Sequence, residues 1–295
     1  MSEITLETLN AADAAQFTAA LGDIFEHAPW VAEAAHGSRP FSTLAALYAA
    51  MTQAVSAAAP ERQLALIRAH PDLAGKAARA GTMAPASVAE QASAGLDRLS
   101  EQDFARFHQL NDAYRKRFGF PFIVCVRRHG KDSILRQFER RLQHDQATES
   151  DAALAEVFRI AALRLDQRVA APDRLKVHGR LSTHVLDVHG GLPAGNVAIE
   201  LLELSDGGAA RPIESARTNH DGRTDRPLIE GRPIPIGCYE LRFAVGDYFA
   251  SGGVALADPP FLDVVPVRFS VAEPEGHYHV PLLVTPWSYS TYRGS

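Results

Sequence analysis

The spacing of apolar residues changes at Val169, and that change constrains the fold more than any other feature of the chain. Before it, apolar residues recur at gaps of three and four. Over Glu101–Phe118 they are Phe104, Phe107, Leu110, Ala113, Tyr114 and Phe118, one face of a helix. Thr43–Ala58, Pro60–Ala69 and Ser150–Val169 read in the same way, with Pro60 suited to a first turn and Ser150 to an N-cap. After Ala170-Ala171-Pro172-Asp173, apolar and polar residues alternate, as in Lys176–Leu181. Strands are expected over Ile199–Leu204, Tyr239–Val245, Val264–Val271 and Val280–Trp287, with one short helix over Gly246–Ser251. Turn clusters at Gly190–Pro193, Asp206–Gly208 and Asp221-Gly222 separate them. The pattern predicts a multidomain chain: an all-α helical bundle over residues 1–168, a linker over 169–173 and an all-β sandwich over 174–295.

Composition narrows the partners. With 295 residues, 46% hydrophobic and 22% charged, the chain can bury two cores. A net charge of −5 gives no electrostatic footprint for nucleic acid. The local run Arg115-Lys116-Arg117 reads as a solvated helix face. Cys125 and Cys238 fall in different halves, so no disulfide framework is expected. No apolar run reaches membrane-spanning length, and Met1–Thr5 has neither the basic start nor the apolar core of a signal peptide. The expectation is a cytoplasmic protein with no nucleic-acid or membrane partner.

In the second half, strand alternation puts His277 and His279 on one face. His184 lies on another strand, and Arg223 follows the Asp221-Gly222 turn. Taken singly, these residues have plain readings: a histidine satisfied within a sheet, an arginine at the surface. His277 and His279 with His178, His184 or His189 are also candidate zinc ligands, but no familiar zinc spacing supports that.

The segments Thr183-His184-Val185-Leu186-Asp187, His277-Tyr278-His279-Val280-Pro281-Leu282-Leu283 and the terminal Tyr292-Arg293-Gly294-Ser295 together resemble the transthyretin-related 5-hydroxyisourate hydrolases of urate breakdown. The resemblance spans roughly residues 174–295 and includes Asp221-Gly222-Arg223. It implies a transthyretin-like β-sandwich that forms a homotetramer, with active sites in a central channel. It implies catalytic roles for His184, Arg223 and His279, and substrate contacts from Tyr292, Arg293 and Ser295. The residue types suit water attack on a lactam of a purine-derived bicycle. A neutral imidazole activates water, and a guanidinium holds developing negative charge. No metal is required.

In the first half, His70 precedes Pro71, which disfavours a helical His70 and sets it at a helix end facing a cleft. Ser87 and Glu90 have the spacing of a capping box. Phe118–Val126 reads by itself as core. Jointly, Ala69–Lys76, Ser87–Leu96 and Arg117–Val126 resemble 2-oxo-4-hydroxy-4-carboxy-5-ureidoimidazoline (OHCU) decarboxylase, an all-helical enzyme without a cofactor. That resemblance implies that His70 donates the proton and that Glu90 orients His70 or the substrate hydroxyl. It implies substrate contacts from Pro71, from Ser87, Val88, Ala89 and Gln91, from Phe122, Ile123, Val124, Cys125 and Val126, and from Arg164. Arg127-Arg128-His129-Gly130 departs from the family's more direct Arg-Gly.

The hydrolase product is the decarboxylase substrate, so one chain carrying both resembles a bifunctional allantoin synthase. The rival reading is a transthyretin-like carrier of small ligands with a noncatalytic helical oligomerisation domain.

Overall fold

The computed structural model describes residues 4–74 and 85–294. Contacts group the chain into two compact units. One comprises Met1–Arg127 and Ser133–Val177, the other Arg128–Asp132 and His178–Ser295.

The first unit is helical. Its described helices are α1 Leu6–Ala11, α2 Ala14–Leu21, α3 Trp30–His36, α4 Leu44–Ser56, α5 Pro60–Arg68, α6 Pro85–Ser93, α7 Glu101–Phe118, α8 Lys131–Arg141 and α9 Gln146–Arg168. Two short strands, β1 Ile4–Thr5 and β2 Val169–Ala170, pair in parallel. Pro60 stands in the first turn of α5, where its missing N–H costs nothing. Helix α7 begins after Ser100, whose hydroxyl accepts the Asp103 N–H, and ends at Gly119 with φ 74°. Its core face carries Phe107, Leu110, Tyr114 and Phe118, whereas Ala113 is exposed and outside that face. Helix α9 starts earlier than Ser150. Asp145 is its N-cap, accepting the Thr148 N–H, and the Ser150 hydroxyl bonds back to the Gln146 carbonyl within the helix. A 3-10 turn over Val126–Arg128 forms the exit where Arg127–Gly130 departs from the expected pattern.

The second unit is a sandwich of two sheets. One has the order β11-β10-β3-β4, with β7 also on β3; the other has the order β6-β5-β8-β9. The strands are β3 Gly179–Asp187, β4 Leu192–Pro193, β5 Ala198–Leu204, β6 Ala210–Arg217, β7 Ile229–Arg232, β8 Gly237–Ala244, β9 Val264–Val271, β10 His277–Val284 and β11 Tyr289–Thr291. A short helix, α10, spans Val245–Ser251. The apolar side chains that alternate inward, among them Leu181, Val185, Leu201, Leu241, Phe243 and Leu282, make the core between the sheets. Strand β3 begins at Gly179, where a Cβ would lie 2.3 Å from the Pro274 carbonyl oxygen; β10 ends at Val284, short of Trp287. Strands β3 and β10 run parallel side by side, setting His279 opposite Ser182 and Pro281 opposite His184.

Candidate active sites

In the helical unit, α5 stops before Pro71 and leaves His70 at its end. The His70 ring is buried, at 7% exposure, and not open to solvent as a bare helix end would be. Its Nδ1 lies 3.0 Å from the Leu66 carbonyl oxygen. A carbonyl only accepts, so Nδ1 carries the hydrogen and Nε2 is the atom left for chemistry. Burial pushes the His70 pKa down; Glu26 and the Leu66 hydrogen bond push it back up, Arg164 lowers it and Glu90 raises it.

Around His70 is a small pocket. Two carboxylates, Glu26 and Glu90, and one guanidinium, Arg164, line it. Arg164 forks onto Glu90, with Nε 2.7 Å from Oε1 and Nη2 2.8 Å from Oε2. Its Nη2 also reaches Glu26 Oε2 and Ser87 Oγ, both at 3.2 Å. Ser87 and Glu90 are therefore not a capping box. Both lie inside α6, and their side chains serve the pocket instead of the helix end. Glu90 is held by Arg164, while His70 is oriented by the Leu66 carbonyl.

Pro71 and Gln91 also line the pocket. Gln91 accepts the Ala74 N–H at 2.9 Å and so fixes the turn after His70. Phe122, Ile123, Val124 and Val126 complete one wall. That wall is held from behind: Arg141 donates to the Ile123 carbonyl at 2.7 Å, and Glu156 accepts the Cys125 N–H at 2.8 Å. Arg141 is itself paired with buried Glu149. Phe122 stacks on Phe138 with ring centroids 3.7 Å apart. Three of the expected contacts are absent from the pocket lining. Val88 and Ala89 are exposed on α6, because helical rotation turns them away from Ser87, and Cys125 is buried with its N–H committed to Glu156. The structure adds Glu26, Leu73 and Ile160. Glu26 sits in the irregular turn between α2 and α3, where no periodicity marks it.

In the sandwich, the parallel register brings Ser182, His184, His277 and His279 to one face. Ser182 Oγ is 3.0 Å from His279 Nδ1 and 3.5 Å from His277 Nε2. Alternation two residues before His184 would have found Ser182. Arg223 reaches this face through the turn Asn219–Arg223. Asn219 Oδ1 accepts the N–H groups of Asp221 and Arg223, and Gly222 takes φ 72°. A Cβ there would lie 2.3 Å from the Val185 carbonyl oxygen, so the turn needs glycine. His184 and Arg223 then form a β-bridge.

Burial first, and then the Arg223 charge, lower the pKa of both His184 and His279. Both rings are thereby biased to the neutral, basic form at neutral pH. The His184 ring is hydrogen-bonded to the Asp221 backbone, and its Nε2 has no partner among the described residues.

The tail folds back onto this sheet. Strand β11 pairs with β10, and the Gly294 N–H donates to the His279 carbonyl at 2.9 Å. Arg293 stands over the Tyr278 ring at 5.0 Å, and alternation puts Tyr278 on the face of β10 opposite His279. Tyr292 is 57% exposed. Ser295 lies outside the described residues.

Comparison with known proteins agrees with this division. The family model OHCU decarboxylase matches residues 10–166, and the HIUase/Transthyretin family model matches residues 181–294. The 2-oxo-4-hydroxy-4-carboxy-5-ureidoimidazoline decarboxylase of Haloferax volcanii is 48% identical over 171 residues, covering 58% of this chain and 99% of its own. The 5-hydroxyisourate hydrolase of Ralstonia nicotianae is 58% identical over 117 residues, 40% of this chain and 99% of its own. The crystal structure of (S)-allantoin synthase aligns with 99% of this chain and 100% of its own, at 37% identity and a TM-score of 0.53. The chain belongs to the OHCU decarboxylase family through its helical half and to the HIUase/transthyretin family through its sandwich.

Proposed function

We propose that this chain carries out two consecutive steps of urate degradation, hydrolysing 5-hydroxyisourate in the sandwich and decarboxylating the product to (S)-allantoin in the helical unit. The observation that carries the reading is the presence, in one chain of both families, of a buried His70 pocket and a separate His184–Arg223–His279 face.

In the hydrolase step, His184 or His279, neutral at physiological pH, takes a proton from water as its oxygen attacks the lactam carbonyl. Arg223 holds the developing oxyanion. The carbon–nitrogen bond breaks, the ring nitrogen takes the proton, and a carboxylate is left. In the decarboxylase step, the carbon–carboxylate bond breaks, carbon dioxide leaves, and the electron pair enters the conjugated ring. His70 Nε2, which bears no hydrogen in the neutral ring, first takes up a proton from solvent and then delivers it to one face of that carbon, which sets the handedness of allantoin. Arg164 and the wall from Phe122 to Val126 hold the ligand.

The sandwich works as a homotetramer whose subunits enclose the histidine face. Val188, Leu192, Trp287 and Tyr289 are large apolar side chains left exposed on the single chain, as an interface requires. Tyr292, exposed on the single chain, then completes the site at that interface, whereas Arg293 is committed to Tyr278 on the opposite face. No described helix is long and apolar enough to cross a membrane, and the reactions belong in the cytoplasm. A carrier of apolar ligands would have no use for two histidines and an arginine on this face.

Stopped-flow absorbance on freshly generated 5-hydroxyisourate tests the reading. Two successive phases, each faster than the uncatalysed decay, are expected. A chain that leaves either phase at its spontaneous rate contradicts it.

A further inference from the structure

We propose that Glu26 sets the direction of the Ser87 hydroxyl, so that Ser87 meets the substrate only as an acceptor and reads a ligand N–H. The inference rests on the decarboxylase reading of the helical pocket and gives one contact in it a defined polarity.

Glu26 is buried, at 5% exposure, and its carboxylate oxygens lie 2.8 and 2.7 Å from Ser87 Oγ. A carboxylate only accepts, so the Ser87 hydrogen points at Glu26. Arg164 Nη2 approaches the same oxygen at 3.2 Å, and a guanidinium only donates, so it occupies one Ser87 lone pair. A hydroxyl has one hydrogen and two lone pairs. The lone pair that remains belongs to the pocket that Ser87 lines. It accepts from an amide-type N–H, such as those of a ureido group, and repels a carbonyl oxygen. The Ser87 hydroxyl donates to Glu26 and not to Glu90, whose two oxygens take the Arg164 fork. The two carboxylates therefore divide the work: Glu90 fixes the guanidinium, and Glu26 fixes the hydroxyl.

A double-mutant cycle in the full chain tests this. Glu26→Gln replaces an acceptor-only group with an amide that can turn its N–H to Ser87 and release the hydroxyl. The KM for the decarboxylation substrate, and the Kd of (S)-allantoin by calorimetry, should each rise about tenfold, the worth of one hydrogen bond. Ser87→Ala should cost a similar factor. In the Ser87→Ala background, Glu26→Gln should change either constant by less than about twofold, as expected when two residues act through one contact. If Glu26→Gln does not fold, Glu26→Asp withdraws the carboxylate by one methylene and must show the same loss of effect beside Ser87→Ala. Fully additive losses, or unchanged KM and Kd in Glu26→Gln, overturn the proposal. A parent chain that binds (S)-allantoin with a Ser87-dependent Kd yet does not accelerate decarboxylation contradicts the functional reading and leaves the polarity of Ser87 standing.

Discussion

Gly294 packs directly on His279. Its N–H donates to the His279 carbonyl at 2.9 Å, and a Cβ at Gly294 would lie 2.6 Å from His279 Cδ2. The end of the chain thus rests on the ring proposed to activate water. Gly294→Ala should push the tail or the ring aside and lower hydrolysis about 100-fold, the scale of a small misplacement in an active site. Deleting Tyr292–Ser295 should do at least as much, with little change in thermal stability, since the tail adds nothing to the core. Steady-state hydrolysis with a melting curve checks both variants. Full activity in either one removes the tail from the site.

Arg223 should govern the pH profile of hydrolysis. Burial and then the Arg223 charge hold His184 and His279 below the ordinary imidazole value of 6.5. The neutral ring is the base, so activity is present above the site pKa and lost as pH falls through it. Arg223→Gln removes a cation that disfavours protonation, so the acid limb of kcat/KM should move to higher pH as the rate falls. Arg223→Lys should leave the limb near its original position. A limb that stays in place, or moves down, in Arg223→Gln rejects the electrostatic link.

His70→Ala should abolish rapid decarboxylation and leave hydrolysis intact. Loss of a positioned proton donor costs about 10²- to 10⁴-fold. The hydrolysis product should accumulate and decay slowly to racemic allantoin. Fast production of one allantoin enantiomer by a folded His70→Ala chain would show that another group delivers the proton.

The fold was legible because both periodicities are strong: gaps of three and four over α4, α5 and α7, alternation over β5, β8 and β9. Boundaries were less so. Asp145, not Ser150, caps α9, because several polar residues in Asp145–Asp151 have cap chemistry and only packing chooses among them. His184, Arg223 and His279 were legible through the family resemblance of their motifs; alternation and the Asp-Gly turn alone left each of them a plain reading. Glu26 leaves no mark in sequence: it comes from an irregular turn, and it meets Ser87 and Arg164 across 61 and 138 residues of chain. Val88, Ala89 and Cys125 show the converse. The resemblance implied them as members of whole substrate-binding segments, but they do not line the pocket: Val88 and Ala89 are exposed on α6, and the Cys125 N–H goes to Glu156.

The two units should also be separable. A chain ending at Val177 should fold as helices and decarboxylate, and one beginning at His178 should fold as sheet and hydrolyse. The second fragment lacks Arg128–Asp132, and with it the Arg128 carbonyl that accepts the Ile236 N–H at 2.8 Å, so a lower melting temperature is expected. Circular dichroism with activity decides. If neither fragment folds while the whole chain does, the division is wrong.

The most direct test of the central claim is to give the full chain freshly made 5-hydroxyisourate and follow the optical activity of the allantoin formed. The account predicts rapid appearance of the (S) enantiomer, with no lasting build-up of the hydrolysis product. Racemic allantoin formed at the spontaneous rate would contradict it.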